Sequence, residues 1–227
     1  ACCNWGQLAD TEFSAQEDCP FIGGQFVWTG FDYLGEPTPY NHNWPARSSY
    51  FGIIDLCGIP KDRFYAYKSA WRPEVPTLHL LPHWSWPGRE GEITPVHCYC
   101  SFDSVELLLN GTSCGVRTKD PHSGLDRHRL RWNDVRYEPG TLTAVAFDKE
   151  GRPVAHTEIK SAGACARILL EPDRKRITAN GKDLCFVLVS IVDENGTVCP
   201  HADNRIDFSI VGPGKVHAVG NGNPISM

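Results

Sequence analysis

The sequence predicts a multidomain chain in which one β/α unit is followed by two β-sandwich segments, the second incomplete. Three observations predict it. An apolar run from Phe21 to Trp28 leads, after a long irregular stretch, into one amphipathic helix pattern at 61–72. Residues 73–163 then carry short strand patterns with turn signals at roughly ten-residue spacing. From Ala166 onward roughly 60 residues of strand pattern remain, against about 100 in a complete immunoglobulin-type sandwich. With 227 residues, 41% of them hydrophobic, the chain has apolar surface enough for real cores.

The elements are justified in chain order. Leu8 to Asp18 reads as a helix whose Asp10, Glu12, Glu17 and Asp18 face solvent. Phe21 to Trp28, bounded by Pro20 and Thr29-Gly30, is apolar on both faces, as a parallel strand covered on both sides is. The stretch from Thr29 to about Pro60 is punctuated by Pro37, Pro39, Pro45 and Pro60. Lys61 to Arg72 places Phe64, Tyr67, Lys68 and Trp71 on one helical face. Asp62 sits in its first turn, where the helix dipole favours an acid, and Pro73 stops it. A single β/α unit cannot make a parallel sheet, because the backbone donors of its strand have no partner. Residues 1–72 are therefore expected to be the tail of a larger α/β domain, poorly ordered alone or held by another chain. A chain that opens Ala1-Cys2-Cys3, with its one methionine at Met227, is likewise expected to be cut from something longer.

Residues 73–163 read as an immunoglobulin-like sandwich. Val105 to Leu109 runs into Asn110-Gly111, a strong hairpin turn, and Glu138-Pro139-Gly140 turns into Thr141 to Phe147. Asp148 to Gly151 turns into Val154 to Ile159. Residues 164–227 read as a second, incomplete sandwich, with strands at Leu184–Val192 and Arg205–Val211 about the turn Asp193-Glu194-Asn195-Gly196.

Composition excludes several classes of function. A net charge of −5 without a basic block argues against nucleic acid or an anionic membrane as partner. No run of about 18 apolar residues exists, so no membrane span is expected. The ten cysteines are scattered. Cys98-x-Cys100 beside His97 lacks a second ligand pair at zinc spacing, so these read as buried thiols, and neither metal nor cofactor is expected. The Asn110-Gly-Thr112 and Asn195-Gly-Thr197 sequons fall on turns and read as turn chemistry.

The densest chemistry lies between Gln25 and Tyr40, where Trp28 ends a strand and the loop beyond presents Asp32, Tyr33, Glu36 and Tyr40. A flat aromatic face suits the C–H face of a sugar, and a carboxylate accepts from its hydroxyls. From composition alone the same residues also read as core aromatics and loop caps.

The string Phe26-Val-Trp28-Thr-Gly-Phe-Asp32-Tyr-Leu-Gly-Glu36-Pro-Thr-Pro-Tyr40 resembles the last barrel strand and loop of glycoside hydrolase family 2, in its bacterial β-galactosidase branch. The resemblance continues through Ser49 to Asp62 and the helix ending at Trp71, through Val105 to Gly111, and through Asp183–Pro200, Asp203–Gly214 and Gly220–Gly222. It implies that residues 1–72 are the last β/α unit of a (β/α)8 barrel. It implies too that 73–163 and 164–227 are immunoglobulin-like modules, the second truncated. The implied activity is a retaining β-glycosidase, most simply a β-galactosidase, whose two glutamates stand about 5–5.5 Å apart.

In that family both glutamates stand on barrel strands before the one ending at Trp28. Asp10, Glu12, Glu17 and Asp18 match neither glutamate motif, so no catalytic residue is expected in this chain, which alone should be inactive. Carried over by position, Trp28 is the tryptophan that stacks on the sugar, Glu36 the acid that accepts from galactose hydroxyls, and Asp32 a direct contact or a support. Tyr33, Tyr40, His42 and Lys61 belong to the same stretch, with His42 read as a solvated loop histidine. Asp55 and Asp62 read as braces of local backbone. The implied partners are a β-galactoside or related glycan and the upstream barrel polypeptide. A second reading, a non-catalytic sandwich that binds carbohydrate or a partner, rests on Trp84 and Trp86 sharing one strand face.

Overall fold

The structure, a computed structural model, describes residues 6–38 and 40–225. Ala1-Cys2-Cys3, Pro39 and Met227 lie outside the described residues. Two helices, α1 (Ala9–Asp18) and α2 (Asp62–Trp71), precede the strands β1 (Leu78–Leu81), β2 (Val96–Cys100), β3 (Ser104–Leu109), β4 (Thr112–Thr118), β5 (Leu130–Trp132), β6 (Thr141–Phe147), β7 (Pro153–Lys160), β8 (Arg167–Pro172) and β9 (Val187–Val192).

The centre of the molecule is an antiparallel sandwich. One sheet has the order β1-β2-β5 and the other β4-β3-β6-β7. Period-two burial selects its inner face: Val105, Leu107 and Leu109 of β3 alternate with half-buried neighbours, as do Leu142, Ala144 and Ala146 of β6. These pack against Val96, Cys98, Leu130 and Trp132 of the other sheet to form one core with Trp84 and Tyr137. Fully burying a large apolar side chain there contributes about 1.5–3 kcal/mol. The β3–β4 turn places Asn110 at φ 50° and Gly111 at φ 81°, as a two-residue hairpin loop demands. The Asn110 side chain then accepts from the Thr141 amide at 2.8 Å and donates to the Pro139 carbonyl, joining this turn to the next. Gly140 cannot carry a side chain, since a Cβ there would fall 1.9 Å from Asn110 Oδ1.

Around this sandwich the structure departs from the sequence reading in four places. Phe21 to Trp28 forms no strand; the segment runs irregularly from a turn at Phe21 to a bend at Trp28, with Phe21, Phe26 and Trp28 exposed. Its backbone has no strand beside it, and the nearest pairing is a single parallel bridge, Phe31 to Ile54. Arg205–Val211 is also unpaired, and the strand read at Leu184–Val192 is confined to β9, paired with β8 and, through Val192, with Val198.

The third difference concerns α1, whose acidic residues do not simply face water. Asp10 is buried, 2% exposed, and receives both the Nε–H (2.6 Å) and the Nη2–H of Arg129, itself buried. Arg127 pairs with Glu17 and Asp18 at 2.8 and 2.9 Å, and Ser14 meets His128 at 3.0 Å. Phe13 packs edge-on against both Tyr67 of α2 and His128. Helix α1 is thus docked on the sandwich through three consecutive residues just before β5, Arg127, His128 and Arg129. Fourth, Asp62 caps nothing: it pairs with His79 of β1 at 2.8 Å, while Tyr65 stacks on the same imidazole at 3.8 Å.

Candidate functional site

The loop from Trp28 to Lys61 is shaped by a few polar anchors. Asp32 is buried; its Oδ1 accepts the Gly52 amide at 2.7 Å and its Oδ2 pairs with Lys61 Nζ at 2.6 Å. The Asp32–Lys61 pair ties the far end of the loop to its beginning, and Lys61 also donates to the Tyr50 carbonyl. Gly52 is required by this approach, because a Cβ would stand 2.2 Å from the Asp32 nitrogen and 2.4 Å from the Phe31 carbonyl carbon. Asp55 braces the next turn by accepting from the amides of Cys57 and Ile59, both at 2.8 Å.

On this frame sits a linked set of three side chains. Buried Ser49 clamps Tyr33 from both directions: Ser49 Oγ accepts the Tyr33 amide at 3.1 Å, and the Ser49 amide donates to the Tyr33 carbonyl at 2.9 Å. The Tyr33 hydroxyl accepts from Trp28 Nε1 at 3.2 Å and donates to Glu36 Oε2. The two rings meet edge-on, with centroids 5.9 Å apart at 88°. By accepting the phenol proton, the Glu36 carboxylate holds the Tyr33 pKa above its ordinary value. Trp28 is 73% exposed, presenting an indole face beside a half-buried carboxylate. Chemically this is a surface that can stack on an apolar ring face while accepting hydrogen bonds from hydroxyls.

Of the residues singled out in sequence, the structure brings Trp28, Tyr33 and Glu36 together and places Asp32 beneath them, turned to Gly52 and Lys61. Tyr40 packs on Tyr50 at 5.5 Å, and His42 is exposed. Ser49 and Gly52 escaped the sequence reading, since their partners lie 16 and 20 residues away.

Trp84 and Trp86 do not form a shared aromatic face. Trp84 is 1% exposed in the core and donates to the Glu138 carbonyl at 3.0 Å, while Trp86 stacks on His83 under Arg89. Neither lies in a strand, so the two-residue spacing carries no common orientation. Cys98 and Cys100 are buried, and the Cys98 thiol is held well above the usual thiol range by its hydrogen bond with Cys100 and by burial. Among the described residues no three His, Cys, Asp or Glu side chains converge as metal ligands would.

Residues 91–155 match a domain family of unknown function (DUF4982), and residues 168–227 match the glycoside hydrolase family 2 C-terminal domain 5. The chain is 50% identical over 225 residues to the beta-galactosidase BoGH2A of Bacteroides ovatus, an alignment covering 98% of this chain and 25% of that protein. It is 35% identical over 222 residues to a putative beta-glucuronidase of Formosa agariphila, covering 94% of this chain and 20% of that one. A crystal structure of a glycosyl hydrolase family 2 member from Bacteroides cellulosilyticus superposes with a TM-score of 0.83 at 29% identity, over 96% of this chain and 32% of that one. The chain thus spans about a quarter or less of the length of these curated relatives.

Proposed function

The chain belongs to glycoside hydrolase family 2, and from that premise we propose that it is the C-terminal part of a retaining β-glycosidase acting on terminal β-linked galactose. Residues 1–72 are the last β/α unit of its (β/α)8 barrel. Residues 73–163 and 164–227 are two immunoglobulin-like modules, the second incomplete. Supporting the barrel assignment, Phe21, Phe26, Trp28 and Phe31 are all exposed, and an apolar groove lined by Phe31, Ile53, Phe64, Tyr67 and Trp71 lies open beside them. Apolar side chains on so short a stretch need cover, and adjoining barrel strands and helices would supply it.

The observation that carries the reading is the exposed Trp28 indole linked through Tyr33 to Glu36, just beyond the segment assigned to the final strand. In a β/α barrel, residues past a strand's C-terminal end line the active site. Trp28 stacks on the sugar ring and holds it flat against the barrel mouth. Glu36 accepts from its hydroxyls, and Asp32 keeps the loop in place without touching substrate. The acid and the nucleophile are two upstream glutamates that act through a glycosyl-enzyme. A carboxylate at the sugar favours a neutral galactoside over a glucuronide, whose own carboxylate it would repel.

The test is complementation. The purified chain is expected to hydrolyse no nitrophenyl β-galactoside, and mixing it with the upstream barrel polypeptide is expected to restore hydrolysis, with the galactoside favoured over the glucuronide. Turnover by the chain alone, abolished by a single Asp or Glu substitution within it, would refute the proposal.

A further inference from the structure

Tyr33 stands between the two side chains assigned to the sugar. Its backbone is clamped on both sides by buried Ser49, and the residues after it are fixed by the Leu34–Ser48 bridge and the Gly35 amide to the Arg47 carbonyl at 2.9 Å. Its ring is thereby anchored to the frame of the loop, whereas Trp28 is mostly exposed and Glu36 half-exposed. A phenol has one proton to donate. Here it goes to Glu36 Oε2, while the phenol oxygen accepts the indole N–H.

We propose that Tyr33 is a positioning residue for substrate recognition: its hydroxyl locks the Trp28 indole plane and the Glu36 carboxylate into one rigid sugar-binding unit. This inference rests on the reading of Trp28 and Glu36 as sugar contacts. The bond to Oε2 fixes the carboxylate plane and leaves both lone pairs of Oε1 for a sugar hydroxyl, so the carboxylate meets the ring in one orientation. Preorganisation of this kind acts on binding, because a side chain already held in place loses less freedom when the ligand arrives.

The test uses the full-length parent enzyme and steady-state hydrolysis of nitrophenyl β-galactoside by Trp28→Ala, Glu36→Gln, Tyr33→Phe and the double variant Tyr33→Phe/Glu36→Gln. Tyr33→Phe keeps the ring and removes only the hydroxyl. It is expected to raise KM about tenfold, the scale of a charge-assisted hydrogen bond, with kcat within about threefold of the parent. The double variant is expected to lose less than the product of the two single losses, since the substitutions act partly on the same link. Unchanged KM for Tyr33→Phe, a fall in kcat at unchanged KM, or losses that multiply in the double variant would each overturn the inference. If Trp28→Ala and Glu36→Gln leave KM unchanged, the sugar-site reading itself fails and Tyr33 falls with it; if they raise KM and Tyr33→Phe does not, only the role of Tyr33 is lost.

Discussion

Removing the Asp10 carboxylate tests how the first segment is attached to the sandwich. Asp10 is 2% exposed and Arg129 8% exposed, joined by two parallel N–H···O contacts, with the guanidinium also lying 5.0 Å from the Tyr99 ring centroid. Asp10→Ala leaves that guanidinium in place with its carboxylate gone and little water to replace it. Breaking one side of a buried pair costs about 3–5 kcal/mol. At about 1.4 kcal/mol per decade, local opening of α1 should increase by roughly two to three and a half orders of magnitude. Hydrogen exchange over residues 9–18 reads this directly, because the lost contacts belong to α1 and its landing site. The double replacement Asp10→Leu/Arg129→Met should restore most of the protection, since it leaves no stranded charge. Exchange in Asp10→Ala within about threefold of the parent chain would refute the claim that this ion pair holds α1.

Three further outcomes follow from the geometry. Gly52→Ala forces a Cβ to within 2.2 Å of the Asp32 nitrogen, so the Asp32–Gly52–Lys61 frame must open; the mutant should show faster proteolysis between residues 29 and 61, and an unchanged cleavage pattern would contradict the close approach. Trp84→Ala empties a fully buried site in the sandwich and should cost about 3–5 kcal/mol, read as a lowered thermal midpoint, whereas a surface tryptophan would cost almost nothing. The His128 imidazole is held below its usual value of 6.5, first by burial, with Glu17 and Asp10 opposing and Arg127 and Lys119 reinforcing the shift. Its neutral form is therefore the one the fold prefers: its contribution is complete above about pH 6.5 and is lost as the pH falls through the depressed folded value. Unfolding midpoints measured from pH 7.5 down to 5 should fall less steeply in His128→Gln, and parallel curves would contradict the assignment.

The features legible in the sequence are those governed by short-range chemistry. Helix α2 followed from its apolar spacing and Pro73, and the β3–β4 hairpin from Asn110-Gly111, a pair that accepts positive φ. The strands β3, β6 and β7 followed from short apolar runs bounded by turn residues. Asp55 as a local brace was equally accessible, because its partners lie two and four residues on. What escaped depends on distant parts of the chain. The acids of α1 looked solvated because the arginines that meet them lie more than 100 residues away. Phe21–Trp28 and Arg205–Val211 have strand composition, yet a strand exists only where a neighbour takes its hydrogen bonds, and no such neighbour stands beside either segment among the described residues. In the candidate site the residue types were readable from the Trp28–Glu36 string, but the clamp of Ser49 on Tyr33 and the inward turn of Asp32 were not.

A crystal structure of the full-length parent bound to a galactose-derived inhibitor tests the account most directly. It should show residues 21–28 hydrogen-bonded on both sides as a parallel strand, with the Trp28 ring against the sugar and Glu36 Oε1 accepting from one of its hydroxyls. An inhibitor bound away from Trp28, with residues 21–28 still unpaired and open to solvent, would contradict it.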